Sequence, residues 1–286
     1  MRIPSTTLRS KASVLAAEVD VSTTIYYFSG TGNSLKIAKD ISKAISDCRL
    51  RHIAAVMARR DTTPVDSEKV GIIFPVYVDG LPIIVEKFLR SLKTQPGAYI
   101  FAVANYGGAA GGSLLQADNI LREQGCNLSA AFGLKMPDNT QILFPPSSKE
   151  EQKEDFDNEI MEAAVIGGKI AKGMTVGLEL IQDAQRSLGA SWQRPQFDPQ
   201  KMAASFTTND TCDGCALCEQ VCPVDNIAIE GAKPRWLDHC EQCLACMQWC
   251  PHEAIQFSKR TSTWGRYHHP EIRVDELLRL NYSDRG

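Results

Sequence analysis

Eight of the ten cysteines fall between residues 212 and 250, and only Cys48 and Cys126 lie elsewhere. They form two runs, Cys212-x2-Cys215-x2-Cys218-x3-Cys222-Pro223 and Cys240-x2-Cys243-x2-Cys246-x3-Cys250-Pro251. Three thiolates two residues apart on a curling loop reach three irons of one cubane. The fourth is carried off by the turn at proline and reaches another. The spacing predicts two [4Fe–4S] clusters with crossed ligands: Cys212, Cys215 and Cys218 with Cys250, and Cys240, Cys243 and Cys246 with Cys222. CPVDNIAI (222–229) and CPHEAIQF (250–257) repeat across the two runs, as a pseudo-twofold module requires. Zinc also takes Cys-x2-Cys pairs, but a four-ligand site leaves the evenly spaced triplets unexplained. Disulfides are the alternative for a secreted mini-protein, whereas residues 1–22 lack the apolar middle of a secretory signal. Cys48 and Cys126 are expected to be idle thiols.

A second chemistry is written at FSGTGNSL (28–35), where an apolar strand hands over to a helix. Ser29, Gly30, Thr31, Gly32, Asn33 and Ser34 offer hydroxyls and exposed amides around a helix N-terminus, which suits an anion. No GK[ST] follows, so this is not a P-loop, and Leu35 replaces the third glycine of a dinucleotide fingerprint. With only Lys36 nearby, the loop suits a phosphate monoester held by neutral donors. A plain Ser/Gly turn is the competing reading.

The elements that must position these residues alternate. Strands are expected at 23–29, 49–56, 69–76, 98–105 and 129–135. Helices are expected at 33–45, 83–92 (opened by Pro82), 113–124 (closed by Gly125) and from Ser147, with Glu150 and Glu151, to about Lys172. Continuous apolar strands between helices imply an α/β parallel sheet covered on both faces. The expected organisation is an N-terminal extension (1–22), an α/β domain (23–175) and a linker (176–205) with an optional helix at 178–188. A small cluster domain (206–258) and a tail (259–286) complete it. The net charge of −3 gives no push toward nucleic acid, and no apolar run is long enough to span a bilayer. A cytoplasmic location is expected.

The cysteine module has the bacterial ferredoxin spacing, and SGTGNS resembles the FMN-phosphate loop of flavodoxins. The chain is similar, over about residues 23–270, to flavodoxin–ferredoxin fusion proteins of the EFR type. The resemblance rests on SGTGNS, FPVY, MPDN (136–139), the cysteine module and the GRYHHP tail. It implies a flavodoxin-like, doubly wound five-stranded sheet of order 2-1-3-4-5, followed by an α+β ferredoxin domain. It further implies FMN held by the 29–34 loop, by PVYVDGLP (75–82) through Pro75, Val76 and Tyr77, and by NYGGAAGGS (105–113) through Asn105, Tyr106, Gly107 and Gly108. Tyr77 and Tyr106 are candidates to stack on the flavin ring, with rim packing as the alternative. Gly107 and Gly108 are candidates to let amides approach the ring edge.

The expected function is electron transfer between FMN and the clusters, a two-electron to one-electron converter serving a redox partner protein or small-molecule acceptor. The alternatives are an FMN-dependent reductase with PDNTQILFPP (137–146) as a lid or part of a pocket, unless that segment is an interface with the cluster module, and a flavin-free scaffold subunit. No acid–base or nucleophilic set stands out; His268 and His269 read as a solvated turn. The acidic residues of the module, among them Asp213, Glu241 and Glu253, read either as a solvated surface or as a face steering toward a basic partner.

Overall fold

Five strands build one parallel sheet in the order β2-β1-β3-β4-β5, and the central β1, β3 and β4 are buried on both faces. The strands are β1 (Thr23–Tyr27), β2 (Cys48–His52), β3 (Lys69–Pro75), β4 (Tyr99–Tyr106) and β5 (Ala130–Lys135). The computed structural model describes residues 22–60, 64–189 and 195–282. Residues 1–21 of the expected extension (1–22), residues 61–63, linker residues 190–194 and the end of the tail, 283–286, lie outside the described residues.

Strand alternation divides the core between the two faces. Ile25, Tyr27, Ile73, Phe101 and Val103 meet α1 (Asn33–Ser42) and α5 (Lys149–Ala171) on one side. On the other, Tyr26, Val70, Ile72, Phe74 and Ala102 meet α2 (Ile53–Arg59), α3 (Ile83–Ser91), α4 (Ser113–Arg122) and α6 (Leu178–Leu188). This is the doubly wound order of a flavodoxin-like sheet, whose ligands bind at the carboxyl ends of the strands.

Two expectations shift. The second strand stops at His52, and Ile53–Arg59 is a helix. Its alanines favour helix, and Ile53, Ala54, Ala55 and Val56 bury one side. The long acidic helix is capped by Ser148, one residue later than expected. Glu151 N–H donates to Ser148 Oγ at 3.2 Å and Ser148 N–H to Glu151 Oε2 at 2.9 Å, a reciprocal capping box. The optional helix at 178–188 is present, with Ile181 and Ala184 buried in the core beside α4.

The chain then crosses through α7 (Pro199–Ala203) into a small α+β region. There β6 (Thr207–Thr208) pairs antiparallel with β9 (Ile255–Gln256), and β7 (Ile227–Glu230) with β8 (Lys233–Trp236). Two single-turn helices, α8 (Leu217–Gln220) and α9 (Ala245–Gln248), sit between them. Residues at equivalent places in the two cysteine motifs share left-handed backbone: Gly214 with Gln242, Ala216 with Leu244, and Asp225 with Glu253. Beyond a 3-10 turn (Thr261–Thr263) the tail returns across the first domain. It ends in α10 (Val274–Tyr282), which packs on α2 and covers the edge strand β2. Among the described residues no helix is long and apolar enough to cross a membrane.

Candidate functional site

The repeated left-handed turns curl each Cys-x2-Cys-x2-Cys run so that its thiols face inward. Cys212, Cys215, Cys218 and Cys250 line one pocket, together with Ile229, Pro234 and Ile255. Cys222, Cys240, Cys243 and Cys246 line another, together with Phe206, Ile227 and Trp236. Each cavity thus takes three thiols from one motif and the fourth from the other. Among the described residues no three Cys, His, Asp or Glu side chains converge as they would on a single metal ion. Each three-plus-one thiol set has the ligand number and type that a [4Fe–4S] cluster would take. Burial pushes the Cys218 and Cys240 thiols up to about 11, so a thiolate at either would call for a compensating cation. Backbone N–H groups already aim at sulfur: Asn226 at Cys222 Sγ (3.1 Å), Gln242 at Cys240 Sγ (3.3 Å) and Ala254 at Cys250 Sγ (3.3 Å).

The two cavities are not equivalent. Cys215 of the first is exposed. Cys243, its counterpart in the second, packs with its carbonyl against Gly30, where even a methyl group would collide with it. The second cavity therefore abuts the 29–34 loop.

That loop is not exposed. Ser29, Thr31, Asn33 and Ser34 are all buried. Three hydroxyl oxygens each accept a hydrogen bond: Ser29 from Gly32 N–H (3.1 Å), Thr31 from Asn139 Nδ2 (2.6 Å) and Ser34 from Asn105 Nδ2 (2.6 Å). A hydroxyl that accepts still carries its own proton to donate. No side chain caps the N-terminus of α1, whose cap residue Gly32 has φ +100. Buried donors at an uncapped helix end fit a phosphate. The Lys36 side chain is engaged away from these donors. Its ammonium turns to Asp40, to Glu159 at 3.6 Å and to Glu271 at 3.4 Å.

The other two loops close on the first. Pro75 pairs with Asn105 across β3 and β4, Val76 N–H donates to Asn105 O (2.9 Å), and Asn105 reaches Ser34. Tyr77 opens a two-residue turn with Val78 and Asp79 at φ +48 and +61. Its ring meets Phe28 edge-on. Burial, then Cys243, Glu241 and Cys240, push its hydroxyl well above the usual tyrosine range, so Tyr77 lies beside the inner thiols. Tyr106 instead lies over Gly133, where a Cβ would stand 3.0 Å from its ring. The structure does not bring the two tyrosines together. Gly107 is required by the 137–146 loop, since a Cβ would stand 2.6 Å from Asp138 Cβ; Gly108 faces open space.

Several residues in these contacts do not stand out in the sequence. Glu241, read with the acidic surface, is buried and accepts from Ile84 N–H (3.0 Å) at the start of α3. A carboxylate there complements the helix dipole. Trp249 Nε1 donates to Gly30 O (3.0 Å), and its ring stacks on His268 at 3.9 Å. His269 is fully buried, not part of a solvated turn, and its N–H donates to Thr31 O (2.8 Å). Tyr267 hydroxyl donates to Asn33 Oδ1 (2.8 Å). The 137–146 loop is an interface rather than a free lid. Asn139 O accepts from Gln248 (3.1 Å) and Ile142 enters the cluster domain's core, leaving Leu143 and Phe144 exposed at the tip. The repeat carried one signal for this: Trp249 stands where the first motif has Val221. Burial pushes the Cys48 thiol up to about 11, in keeping with an idle thiol.

Residues 205–251 match the 4Fe-4S dicluster domain family. No curated protein matches the chain. Among solved structures, the two-electron reduced flavodoxin of Megasphaera elsdenii is 18% identical over 50% of this chain and 97% of its own, with a TM-score of 0.31. The Flv1 flavodiiron core from Synechocystis sp. PCC6803 is 13% identical over 54% of this chain, with a TM-score of 0.39. The rubredoxin oxygen:oxidoreductase of Desulfovibrio gigas is 17% identical over 52%, with a TM-score of 0.32. The chain spans only 36% and 37% of the latter two. The sheet order and the family match together give one architecture: a flavodoxin-like domain joined to a 4Fe–4S ferredoxin domain.

Proposed function

We propose that this chain is an iron–sulfur flavoprotein that passes electrons between FMN and two [4Fe–4S] clusters. The observation that carries the flavin half is the set of three buried hydroxyls, each already accepting a bond, around the uncapped start of α1. Ser29, Thr31 and Ser34 donate to the flavin's phosphate, and the first-turn amides of α1 add their dipole. Asn105 orients Ser34, and Asn139 orients Thr31. The crossed sets around the two cavities hold the clusters. Held by these residues, the flavin would supply two-electron chemistry and each cluster one-electron chemistry.

Exposure sets the order of the chain's own parts. The exposed rim at Cys215 serves an external redox partner. Cys243, pressed on Gly30, serves the flavin. The engaged 137–146 loop favours a carrier over a reductase with a mobile lid.

Anaerobic purification with iron, sulfide and flavin quantified together tests this. Two cubanes and one flavin require about eight iron, about eight sulfide and about one FMN per chain. Clusters without flavin, even after incubation with FMN, would select the scaffold reading instead.

A further inference from the structure

The loop's acceptor atoms are bound from outside its own domain. Gly30 O takes Trp249 Nε1, Thr31 O takes His269 N–H, and Asn33 Oδ1 takes the Tyr267 hydroxyl. Across a planar trans peptide, a carbonyl and the following N–H point to opposite sides. Fixing Gly30 O toward Trp249 turns Thr31 N–H inward. Fixing Thr31 O toward His269 turns Gly32 N–H inward, where it meets Ser29 Oγ at 3.1 Å. Asn33 would otherwise compete for the helix start, but its side chain is engaged at both ends, by Tyr267 and by Pro137 O at 3.2 Å.

Sterics point the same way. A Cβ on Gly30 would strike the Cys243 carbonyl, and one on Gly32 would stand 3.0 Å from His269 Cβ and Ile272 Cβ. Both loop glycines thus match the parts that cover the loop. Arg266 fixes the strap on the ferredoxin side, donating to Glu253 O (3.2 Å) and Ile255 O (2.9 Å). Tyr267 N–H donates to Gln248 Oε1 at 2.9 Å.

We propose that Trp249 and the Tyr267–His269 strap are positioning residues for the phosphate loop, so that recognition of the flavin's phosphate depends on the docked ferredoxin domain. This rests on the flavin reading above. The covering parts take Gly30 O, Thr31 O and Asn33 Oδ1, which leaves the Thr31 N–H and the hydroxyl protons of Ser29, Thr31 and Ser34 for the anion. By linkage, the bound phosphate tightens the strap by the same factor by which the strap tightens the phosphate.

The test uses the full chain with its clusters in place and two probes, FMN and riboflavin, titrated by quenching of flavin fluorescence. Riboflavin lacks only the phosphate. Tyr267→Phe removes one hydroxyl and Trp249→Phe one N–H. Each is expected to weaken FMN about five- to tenfold while leaving riboflavin within about twofold. Iron and sulfide content should be unchanged. In the wild type, FMN but not riboflavin should slow tryptic cleavage after the exposed Lys259 and Arg260. Variants that keep the wild-type preference for FMN, or lose both flavins equally, overturn this inference alone. A wild type that binds neither flavin overturns the flavin reading and this inference with it.

Discussion

Glu159 offers a test of the structure that needs no ligand. Its side chain is wholly buried, with Lys36 and Asp40 of α1 beside it and Glu271 of the strap on the same ammonium. Burial, and then the Asp40 charge, push the Glu159 carboxyl up from its ordinary 4.5 to about 7, against the pull of Lys36. An acid raised in the folded state binds its proton more tightly there than in the unfolded chain. Stability from this group is therefore full below pH 4.5 and falls as pH rises through 7. At about 1.4 kcal/mol per pH unit, the penalty is about 1 kcal/mol at pH 5.5 and about 3 kcal/mol above pH 7.5. His269 works oppositely. Burial, then Lys36, push it down to about 4, so its contribution is lost as pH falls from 6.5 through 4. Glu159→Gln keeps the shape and removes only the acid. The variant should exceed the wild type by about 1 kcal/mol at pH 5.5 and about 3 kcal/mol at pH 8, with His269 cancelling in the difference. For a domain of this size the gain in Tm should widen by about 4–8 °C over that range. Thermal unfolding of both proteins, followed anaerobically by circular dichroism, measures it. A Tm difference that stays constant from pH 5.5 to pH 8 refutes the buried, proton-holding Glu159.

Cys222→Ala should halve the iron to about four per chain and abolish one of two electron-paramagnetic signals, that of the cluster otherwise held by the second motif. Val78 is a β-branched residue at φ +48 in an exposed turn. Val78→Asn should relieve about 1 kcal/mol of strain and raise Tm by about 2–4 °C, and a fall would show that the turn is not left-handed. Thr31→Glu puts a carboxylate where the phosphate would sit and should weaken FMN at least about a hundredfold at unchanged iron content; flavin retained in the purified variant would move the site elsewhere.

Local signals explain what could be read from the chain. The apolar strands and the cysteine spacing are short-range patterns, so the sheet and the thiol motifs are visible residue by residue. The break at His52 is not, because Ile53–Val56 is apolar enough for either a strand or a buried helix. The cap at Ser148 rather than Ser147 is a choice between two adjacent serines. The burial of Ser29–Ser34 comes from residues more than two hundred positions away, Trp249 and Tyr267–Ile272, which no window on the loop contains. The partners of Lys36 are hidden for a similar reason, since Glu159 and Glu271 are distant in sequence.

The ferredoxin repeat shows how a symmetric module acquires a direction. Both motifs curl the same way, and each lends its fourth thiol to the other's cavity. Symmetry ends where the second motif meets the first domain, at three pairs of equivalent residues besides exposed Asp213 and buried Glu241. Cys215 is exposed whereas Cys243 presses on Gly30; Gln220 is exposed whereas Gln248 bonds Asn139 O and Tyr267 N–H; Val221 is aliphatic whereas Trp249 reaches Gly30 O. All three departures lie on the face that meets the first domain. Fusion places that face permanently against the 29–34 loop, at an effective concentration no free carrier reaches. The first motif keeps an exposed thiol, Cys215, and an exposed Asp213 that accepts from the Cys215 N–H. In the proposed function an outside partner would meet this motif, with the second standing between it and the loop.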